Sequence, residues 1–373
     1  MTTTDLTAPG WMANQRDTAW TCPAQAGEAL EFHRGLGGYA PTALSELPEL
    51  ADELGVGTVL AKDESTRLGL PAFKALGASW AVRRALGIAG DEAGAAATEV
   101  ITATDGNHGR AVAHFARLAG RAARIFVPVS GIHPSAVEAI RSEGAEMVEH
   151  SGNYDETVAA AARFASDTGG VLVQDTAWDG YEEVPGWIVE GYSTLFREID
   201  AQLADRGLRG PDLVLVPTGV GSLLQAALAH YRSDSVPRGT AVVSVEPEAA
   251  ACMAPSLAAG HPVTVETGKT IMSGLNCGTP SSLAWPFVRD GRDAVAAVSE
   301  RDTIAAAHRL AELGVAAGPC GAASLAGARL ALTGDGAQSR RTDLGVGPQS
   351  TVVLTVTEGS DANPVPASGS VTA

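Results

Sequence analysis

Short apolar runs alternate with alanine-rich stretches from about residue 55 to the end of the chain. The apolar runs are rich in β-branched residues, which suit a pleated backbone, so each run predicts a strand. The alanine-rich stretches between them have the length and composition of helices. The predicted strands cover residues 58–60, 100–102, 125–127, 171–173, 213–216, 242–243 and 352–354. The predicted helices include residues 44–54, 110–118, 135–142, 155–165, 223–231 and 303–313.

The alternation of strands and helices predicts right-handed crossovers and a largely parallel sheet, the architecture of α/β proteins. The predicted strands are apolar along most of their length, as expected when helices cover both faces of a sheet. A chain of 373 residues has room for two domains or one large α/β unit. Residues 1–40 are interpreted as irregular and residues 333–350 as a surface loop.

The formal net charge of −17 argues against a nucleic-acid partner and against an anionic membrane surface. An anionic cofactor would therefore need backbone N–H groups to hold it locally. No apolar stretch reaches the roughly 20 residues of a membrane helix, and the N-terminus lacks a signal-peptide pattern, so we expect a cytoplasmic protein.

The cysteines and histidines exclude several kinds of chemistry. The cysteines at positions 22, 252, 277 and 320 show no metal-ligand spacing, so we expect no metal site. They are expected to be reduced thiols, and a bridge between Cys252 and Cys277 is the alternative. The histidines suggest no triad, and there is no Gly-x-Ser-x-Gly motif, so a serine hydrolase finds no support.

The segment KDESTRLGLPAFKALG, residues 62–77, contains the first candidate for chemistry. A helix is predicted to begin near Pro71, because proline is tolerated in the first turn. Lys74 would then lie at the positive end of the helix dipole among apolar neighbours, and both effects favour a neutral amine. A neutral lysine amine is a nucleophile for carbonyl groups. The alternative is a solvated lysine on an exposed helix face.

Two glycine-rich turns follow predicted strands and precede predicted helices. They are Thr104–Gly109, TDGNHG, and Pro217–Ser222, PTGVGS. In open α/β sheets ligands gather at the carboxyl ends of strands, and a helix start exposes N–H groups to an anion. The first turn has an alternative interpretation, in which Asp105 and Asn107 only cap the backbone.

The second turn also partly matches a dinucleotide-binding fingerprint. Glu246 ends the next predicted strand, where a ribose-binding acid would lie. The third glycine of that fingerprint is replaced by Leu224, so the match is weak.

Further polar groups follow two other predicted strands. Asp175 comes after the strand at 171–173, and Thr357 comes after the last strand. Each has a plain alternative, a turn aspartate and a strand-capping hydroxyl. An amine nucleophile, a phosphate cup and polar groups at strand ends are together the parts that pyridoxal phosphate needs.

At this point the chain resembles the tryptophan-synthase-β-like (fold type II) group of pyridoxal-phosphate enzymes, and within that group the diaminopropionate ammonia-lyase family. The resemblance extends over about residues 30–360. The segments that carry it are KDESTRLGLPAFKALG, ATDGNHGRAVA, QDTAWDGYEEVPGWIVEGYSTL, TIMSGLNCG, GPCGAASLAG and VTEG.

The resemblance implies two three-layer α/β domains with mostly parallel sheets and the cofactor, pyridoxal 5′-phosphate, in the cleft between them. Residues 1–75 and 200–373 would form the large domain and residues 76–199 the small one, each boundary holding to about 15 residues. Residues 360–373 would be a disordered tail. The resemblance also implies a homodimer.

The resemblance further assigns roles to individual residues. Lys74 would hold the cofactor aldehyde, Asn107 would contact the 3′-oxygen, and Thr357 would face the pyridine nitrogen. The phosphate would be held by the amides of Gly219, Val220, Gly221 and Ser222. Relatives often carry a run of glycines in this loop, and Val220 interrupts it here.

The same resemblance implies the substrate side of the site. Asp105 and Asp175 would remove the substrate proton from opposite faces, so that both enantiomers react. Thr104, His108 and Ser273 would contact the substrate. The carboxylate of Asp105 would also attract the second ammonium group of 2,3-diaminopropionate.

The expected activity is therefore the α,β-elimination of 2,3-diaminopropionate to pyruvate and two ammonia. A serine or threonine dehydratase acting on a hydroxy or O-acyl amino acid is the first alternative. A nicotinamide-dependent oxidoreductase that uses the turn at 217–222 and Glu246 is the second. A non-catalytic amino-acid-binding protein on the same fold is the third.

Overall fold

The computed structural model describes residues 10–14, 16–87, 98–104, 106–129, 132–236 and 239–366. The strands in these ranges are β1 Trp11–Ala13, β2 Leu44–Glu46, β3 Thr58–Asp63, β4 Val100–Ala103, β5 Ala123–Pro128, β6 Glu146–His150, β7 Val171–Leu172, β8 Leu213–Pro217, β9 Ala241–Pro247, β10 Ala294–Val298 and β11 Thr351–Val356.

The helices in the same ranges surround these strands. They are α1 Glu28–Arg34, α2 Pro48–Leu54, α3 Lys74–Ala85, α4 Asn107–Leu118, α5 Pro134–Ser142, α6 Tyr154–Thr168, α7 Glu183–Asp205, α8 Ser222–Tyr231, α9 Met253–Ala259, α10 Trp285–Gly291, α11 Glu300–Glu312, α12 Pro319–Leu332 and α13 Ala337–Leu344. Glu248–Ala250 and Ser273–Leu275 form single 3₁₀ turns.

Two separate sheets organise the chain. The larger has the order β1-β10-β9-β8-β11-β3-β2, and only its edge strands β1 and β2 run antiparallel to their neighbours. The smaller has the order β6-β5-β4-β7 and is parallel throughout. The predicted α/β fold with mostly parallel sheets is thus confirmed.

Helix α12 illustrates how small residues bring a helix close to the larger sheet. It begins at Pro319, where the missing N–H is no loss, and it is buried along most of its length against β8–β11. A Cβ on Gly327 would lie 2.5 Å from a methyl carbon of Val245 in β9, so only glycine fits this position.

Several local predictions were wrong. Residues 44–54 were predicted as one helix, but Leu44–Glu46 is the edge strand β2 and the helix begins at Pro48. The residue before a proline avoids the helical region, so Pro48 marks the helix start. The predicted loop at 333–350 contains α13, a mostly polar helix whose sequence lacks an apolar stripe. The region predicted as irregular before residue 40 holds β1 and α1.

A buried charge cluster, formed by Lys62, Glu64, Arg67 and Glu198, holds the segment that leads to α3. All four side chains are at most 4% exposed. The Arg67 guanidinium donates to both carboxylates, at 2.7 Å in each case. The Lys62 ammonium donates to Glu198 at 2.6 Å and to the Thr42 carbonyl at 2.9 Å. Two positive and two negative charges are therefore balanced out of water, which is the condition for burying them.

No helix within the described ranges is long and apolar enough to cross a lipid bilayer. All four cysteines are free thiols, so the alternative of a Cys252–Cys277 bridge is not seen.

Candidate active site

A cavity opens at the carboxyl ends of strands from both sheets. It encloses about 1010 Å³ of empty space, open solvent at its mouth included. The larger sheet contributes the residues after β8 and β11, and the smaller sheet contributes those after β4 and β7. Ligands of parallel α/β proteins bind at this edge. The lining includes the predicted site residues Lys74, Asn107, His108, Asp175, Gly219, Val220, Gly221, Ser222, Ser273 and Thr357.

Lys74 is the first residue of α3, so this helix begins a few residues later than the prediction near Pro71. The preceding Phe73 donates its N–H to the carbonyl of Thr357 at 3.0 Å, which anchors the helix start to the end of β11. The Lys74 amine contacts the carboxylate of Asp175, and its side chain is 19% exposed. A lysine at a helix start, in a cavity and beside a carboxylate, is a candidate for chemistry.

Asp175 lies after β7 with its carboxylate buried. Burial raises the pKa of Asp175, but the charge of the adjacent Lys74 and its hydrogen bond to the carboxylate more than offset this, so the pKa stays well below its usual range. The group is therefore an ionised carboxylate at neutral pH, held directly against the candidate nucleophile.

His108 completes this group. Its Nε2 lies 2.8 Å from the carbonyl oxygen of Val173, which can only accept, so Nε2 carries the hydrogen. Burial lowers the pKa of His108, which leaves Nδ1 as an acceptor. That Nδ1 is buried, has no hydrogen-bond partner among the described residues, and lies 3.9 Å from Oδ2 of Asp175.

The turn from β8 to α8 forms the candidate phosphate cup. Helix α8 begins at Ser222, and the first N–H groups of a helix have no acceptor within it. A Cβ on Gly219 would lie 3.0 Å from the sulfur of Cys277 and 3.2 Å from the carbonyl oxygen of Gly274, so the backbone stays bare there. Gly221 has φ +102°, which L-residues rarely adopt. The Ser222 hydroxyl donates to the carbonyl of Asp175 at 2.8 Å and so ties the cup to that carboxylate.

The far end of the cavity is built from the residues after β11. The Thr357 hydroxyl is buried and has no partner among the described residues. Asn107 donates its amide to Glu358 at 2.6 Å, which joins α4 of the smaller sheet to the last strand of the larger one. Glu358 also accepts from the N–H of Cys320 at 3.1 Å, and burial raises its pKa.

One of the predicted substrate residues has a different position. Thr104 is directed to the backbone, where its hydroxyl accepts the N–H groups of Gly106 and Gly109 at 3.0 Å each. Asp105 lies outside the described residues. Ser273 lines the cavity at the start of a 3₁₀ turn.

The cavity residues that sequence reasoning missed include Tyr192, Glu358 and Asn363. Glu358 carried a usable signal, because it follows a strand end as Asp175 does. Asn363 falls in the segment predicted to be a disordered tail, and it donates to the Ile271 carbonyl at 2.8 Å. Residues 367–373 of that segment lie outside the described part of the chain.

Glu246 was the candidate ribose acid of the nicotinamide alternative. It caps the start of α9, accepting the N–H groups of Cys252 and Met253 at 3.0 Å each. Burial raises its pKa to about 8. A neutral carboxyl that caps a helix is a structural group, and this removes the main support for nicotinamide binding.

The residues present fit pyridoxal phosphate. An amine lies at one side of the cavity, a bare helix start that suits a dianion lies at another, and a buried hydroxyl without a partner faces the same space. A buried hydroxyl is rarely left unpaired unless a ligand or water completes it.

Comparisons with known proteins agree with this chemistry. The family model for pyridoxal-phosphate dependent enzymes matches residues 36–358. A diaminopropionate ammonia-lyase of Salmonella typhimurium is 38% identical over 302 residues, which cover 75% of this chain and 73% of that protein. A biosynthetic L-threonine dehydratase of Corynebacterium glutamicum is 30% identical over 332 residues, which cover 86% of this chain and 70% of that protein.

A solved structure shows the same similarity in three dimensions. The diaminopropionate ammonia-lyase of Escherichia coli, in complex with an aminoacrylate–pyridoxal-phosphate azomethine reaction intermediate, superposes with a TM-score of 0.84. The two chains are 33% identical, and the match covers 94% of each.

Proposed function

Because the chain belongs to the pyridoxal-phosphate dependent enzymes, in the branch of the diaminopropionate ammonia-lyases, we propose that it degrades 2,3-diaminopropionate. The elimination consumes one water and yields pyruvate and two ammonia. The observation that carries this is the Lys74 amine in contact with Asp175, at the edge of a cavity that also holds an anion cup. The relatives named for this activity match about three quarters of the chain.

Different residues of the cavity would bind different parts of the cofactor. Pyridoxal phosphate supplies an aldehyde that bonds to amines and a ring that takes up the electrons of the broken Cα–H bond. Lys74 would bind the aldehyde end, and the amides of residues 219–222 would bind the phosphate. Thr357 would face the ring nitrogen and Asn107 the 3′-oxygen.

The carboxylates move the protons. Asp175 is ionised and lies beside Lys74, so this pair accepts the Cα proton on one face of the substrate. Asp105 serves the opposite face, and its charge also attracts the second ammonium group of the substrate. A general base of this kind contributes about 10²–10⁴-fold to the rate.

The domain and assembly expectations belong to the same proposal. Residues 1–75 and 200–373 make the large domain and residues 76–199 the small one. This is supported by the two sheets, whose strands fall into those ranges. We also propose a cytoplasmic homodimer. Free thiols agree with a reducing compartment, and native mass measurement tests the dimer.

A substrate panel tests the activity. The purified protein should absorb near 410–420 nm, roughly, when it is loaded with the cofactor. It should release pyruvate from D- and L-2,3-diaminopropionate faster than from either serine or from L-threonine. Borohydride trapping followed by peptide mass analysis should find the label on Lys74. A label on another residue, or none, would contradict the cofactor assignment.

A hydroxy amino-acid dehydratase is the second candidate, because a threonine dehydratase matches over 86% of the chain. A preference for serine or threonine in the same panel would select it. The variant Asp105→Asn separates the roles further, because it should lose one enantiomer of diaminopropionate and keep more of the other. Full rates on both enantiomers would show that Asp105 is not a base.

A further inference from the structure

Tyr192 is a cavity residue to which none of the roles above applies. It lies in α7, its side chain is fully buried, and it lines the same cavity as Lys74 and Asp175. Its hydroxyl oxygen has no hydrogen-bond partner that meets normal geometry among the described residues. Lys74 and Asp175 are the charged groups that act on this hydroxyl.

Two glycines bring Tyr192 to this position. A Cβ on Gly191 of α7 would lie 2.5 Å from the carbonyl oxygen of Leu76, and a Cβ on Gly77 of α3 would lie 2.5 Å from the Tyr192 ring. The two helices can therefore approach only because both positions are bare. Gly77 is one turn after Lys74 on the same helix face, so the ring lies along the face that carries the amine.

Phe73 fixes the ring from the other side. The centroids of Phe73 and Tyr192 are 4.7 Å apart, and the Lys74 nitrogen is 5.4 Å from the Phe73 centroid. The phenol is thus held by packing on both sides while its hydroxyl stays unpaired. A hydroxyl buried without a partner lowers stability, so a fixed position of this kind indicates a role in the site.

Two other tyrosines, Tyr181 and Tyr231, differ in this respect. The Tyr181 hydroxyl donates to the Leu172 carbonyl at 2.9 Å, and the Tyr231 hydroxyl lies 3.5 Å from the Asp200 carboxylate. Tyr231 is 1% exposed, so it is about as buried as Tyr192. Unlike Tyr192, it does not line the cavity, and its hydroxyl lies near the Asp200 carboxylate.

We propose that the Tyr192 hydroxyl is a positioning partner of the Lys74 amine that stabilises its neutral form. Asp175 favours the ammonium form, because a carboxylate stabilises an adjacent positive charge. A phenol that donates its hydrogen to the amine nitrogen favours the neutral form, which is the nucleophile. Burial raises the pKa of Tyr192, so the phenol keeps its hydrogen at neutral pH. The other titratable groups that line this space are His108, His133, Tyr154, Asp175, Cys277, Cys320 and Glu358.

The role of the neutral amine rests on the proposed function, but the amine itself can be measured without the cofactor. Competitive acylation of the cofactor-free protein, read by peptide mass spectrometry from pH 6 to 11, roughly, reports the pKa of Lys74. The variant Tyr192→Phe removes one oxygen and keeps the ring. The variant Tyr231→Phe is the matched control.

In Tyr192→Phe the labelling midpoint of Lys74 should rise by about one pH unit, a tenfold loss of neutral amine at neutral pH. Cofactor capture by the apoenzyme should slow by a similar factor, about tenfold. The melting temperature should change little, because the ring and its packing are kept. Tyr231→Phe should leave both the labelling and the capture unchanged.

An unchanged Lys74 midpoint in Tyr192→Phe would overturn the inference, and so would a clear fall in its melting temperature, since that would mark a structural hydroxyl. A wild-type protein that captures no cofactor would instead overturn the proposed function, while the labelling result would still decide the Tyr192–Lys74 interaction.

Discussion

Two lysines twelve positions apart, Lys62 and Lys74, occupy opposite situations. Both contact a carboxylate; Lys62 lies near the end of β3, and Lys74 is the first residue of α3, the next helix. Lys62 is fully buried, and each hydrogen of its ammonium has an acceptor, at 2.6–2.9 Å. Lys74 is partly exposed in a cavity, among polar atoms that lack partners.

The difference shows how a lysine that is part of the packed fold, Lys62, differs from a lysine in a candidate active site, Lys74. Burial lowers the pKa of Lys62, the carboxylates of Glu64 and Glu198 partly offset this, and the cluster does not line the cavity. Around Lys74, Nδ1 of His108 and the Thr357 hydroxyl have no hydrogen-bond partner among the described residues. Such unpaired atoms reduce stability and are retained where a ligand completes them.

The largest expected effect comes from removing the Lys74 amine. Lys74→Arg keeps a positive charge for Asp175, but a guanidinium is not deprotonated and is not a nucleophile. Pyruvate release should fall by at least about 10⁴-fold. The melting temperature of the cofactor-free protein should change little. Activity within tenfold of the wild type, roughly, would mean that Lys74 is not the cofactor lysine.

The next largest effect comes from removing one charge of the buried cluster that contains Lys62. Lys62→Met removes one charge of a balanced cluster, so the free energy of unfolding should fall by about 3–5 kcal/mol in urea titrations. The activity per folded molecule should remain near the wild-type value. Adding Glu198→Gln to this variant should recover part of the loss, because the charge balance is restored. A larger loss in the double variant would contradict the balance.

A pH titration of stability tests His33, a buried histidine outside the cavity. Both ring nitrogens of His33 are bonded, and burial lowers its pKa to about 4. A depressed folded pKa contributes stability above the unfolded value near 6.5, and this is lost as the pH falls towards 4. The free energy of unfolding should therefore drop by up to about 3 kcal/mol over that window.

The variant His33→Gln should flatten part of that pH dependence when urea unfolding is measured at several pH values. His108 adds to the same window, because burial lowers its pKa as well. An equally steep profile in His33→Gln would assign the whole pH dependence to other groups.

The smallest expected effect comes from a comparison of two hydroxyls at the end of β11, those of Thr355 and Thr357. The Thr355 hydroxyl donates to the Leu215 carbonyl at 2.7 Å, while the Thr357 hydroxyl has no described partner. Thr355→Val should lower stability by about 1 kcal/mol. Thr357→Val should not, but it should weaken cofactor binding by about tenfold. Equal melting curves with equal cofactor affinities would remove the distinction between the two positions.

Much of this molecule was predictable from short stretches of sequence. The strand predicted at residues 58–60 is the first half of β3, and the helix predicted at 223–231 is α8. Lys74, Asp175 and the turn at 217–222 meet in one cavity as expected, because carboxyl ends of parallel strands share an edge. The roles of the individual site residues stay predictions until the variants are measured.

What could not be predicted depends on partners distant in the chain. Leu44–Glu46 is a strand because it pairs with β3, although its own sequence also suits a helix. Tyr192 reaches the cavity only because two bare glycines meet between α3 and α7.

The sequence by itself determined the α/β alternation, the helix that begins close to Lys74 and the family, since these depend on local periodicity and contiguous motifs. The tertiary structure alone decided which buried polar atoms are paired and which are left for a ligand. Glu358 illustrates this, because Asn107 and Cys320, its partners, lie far from it in sequence and on different helices. Hydrogen-bond satisfaction depends on the whole packing, and no single stretch of chain contains that information.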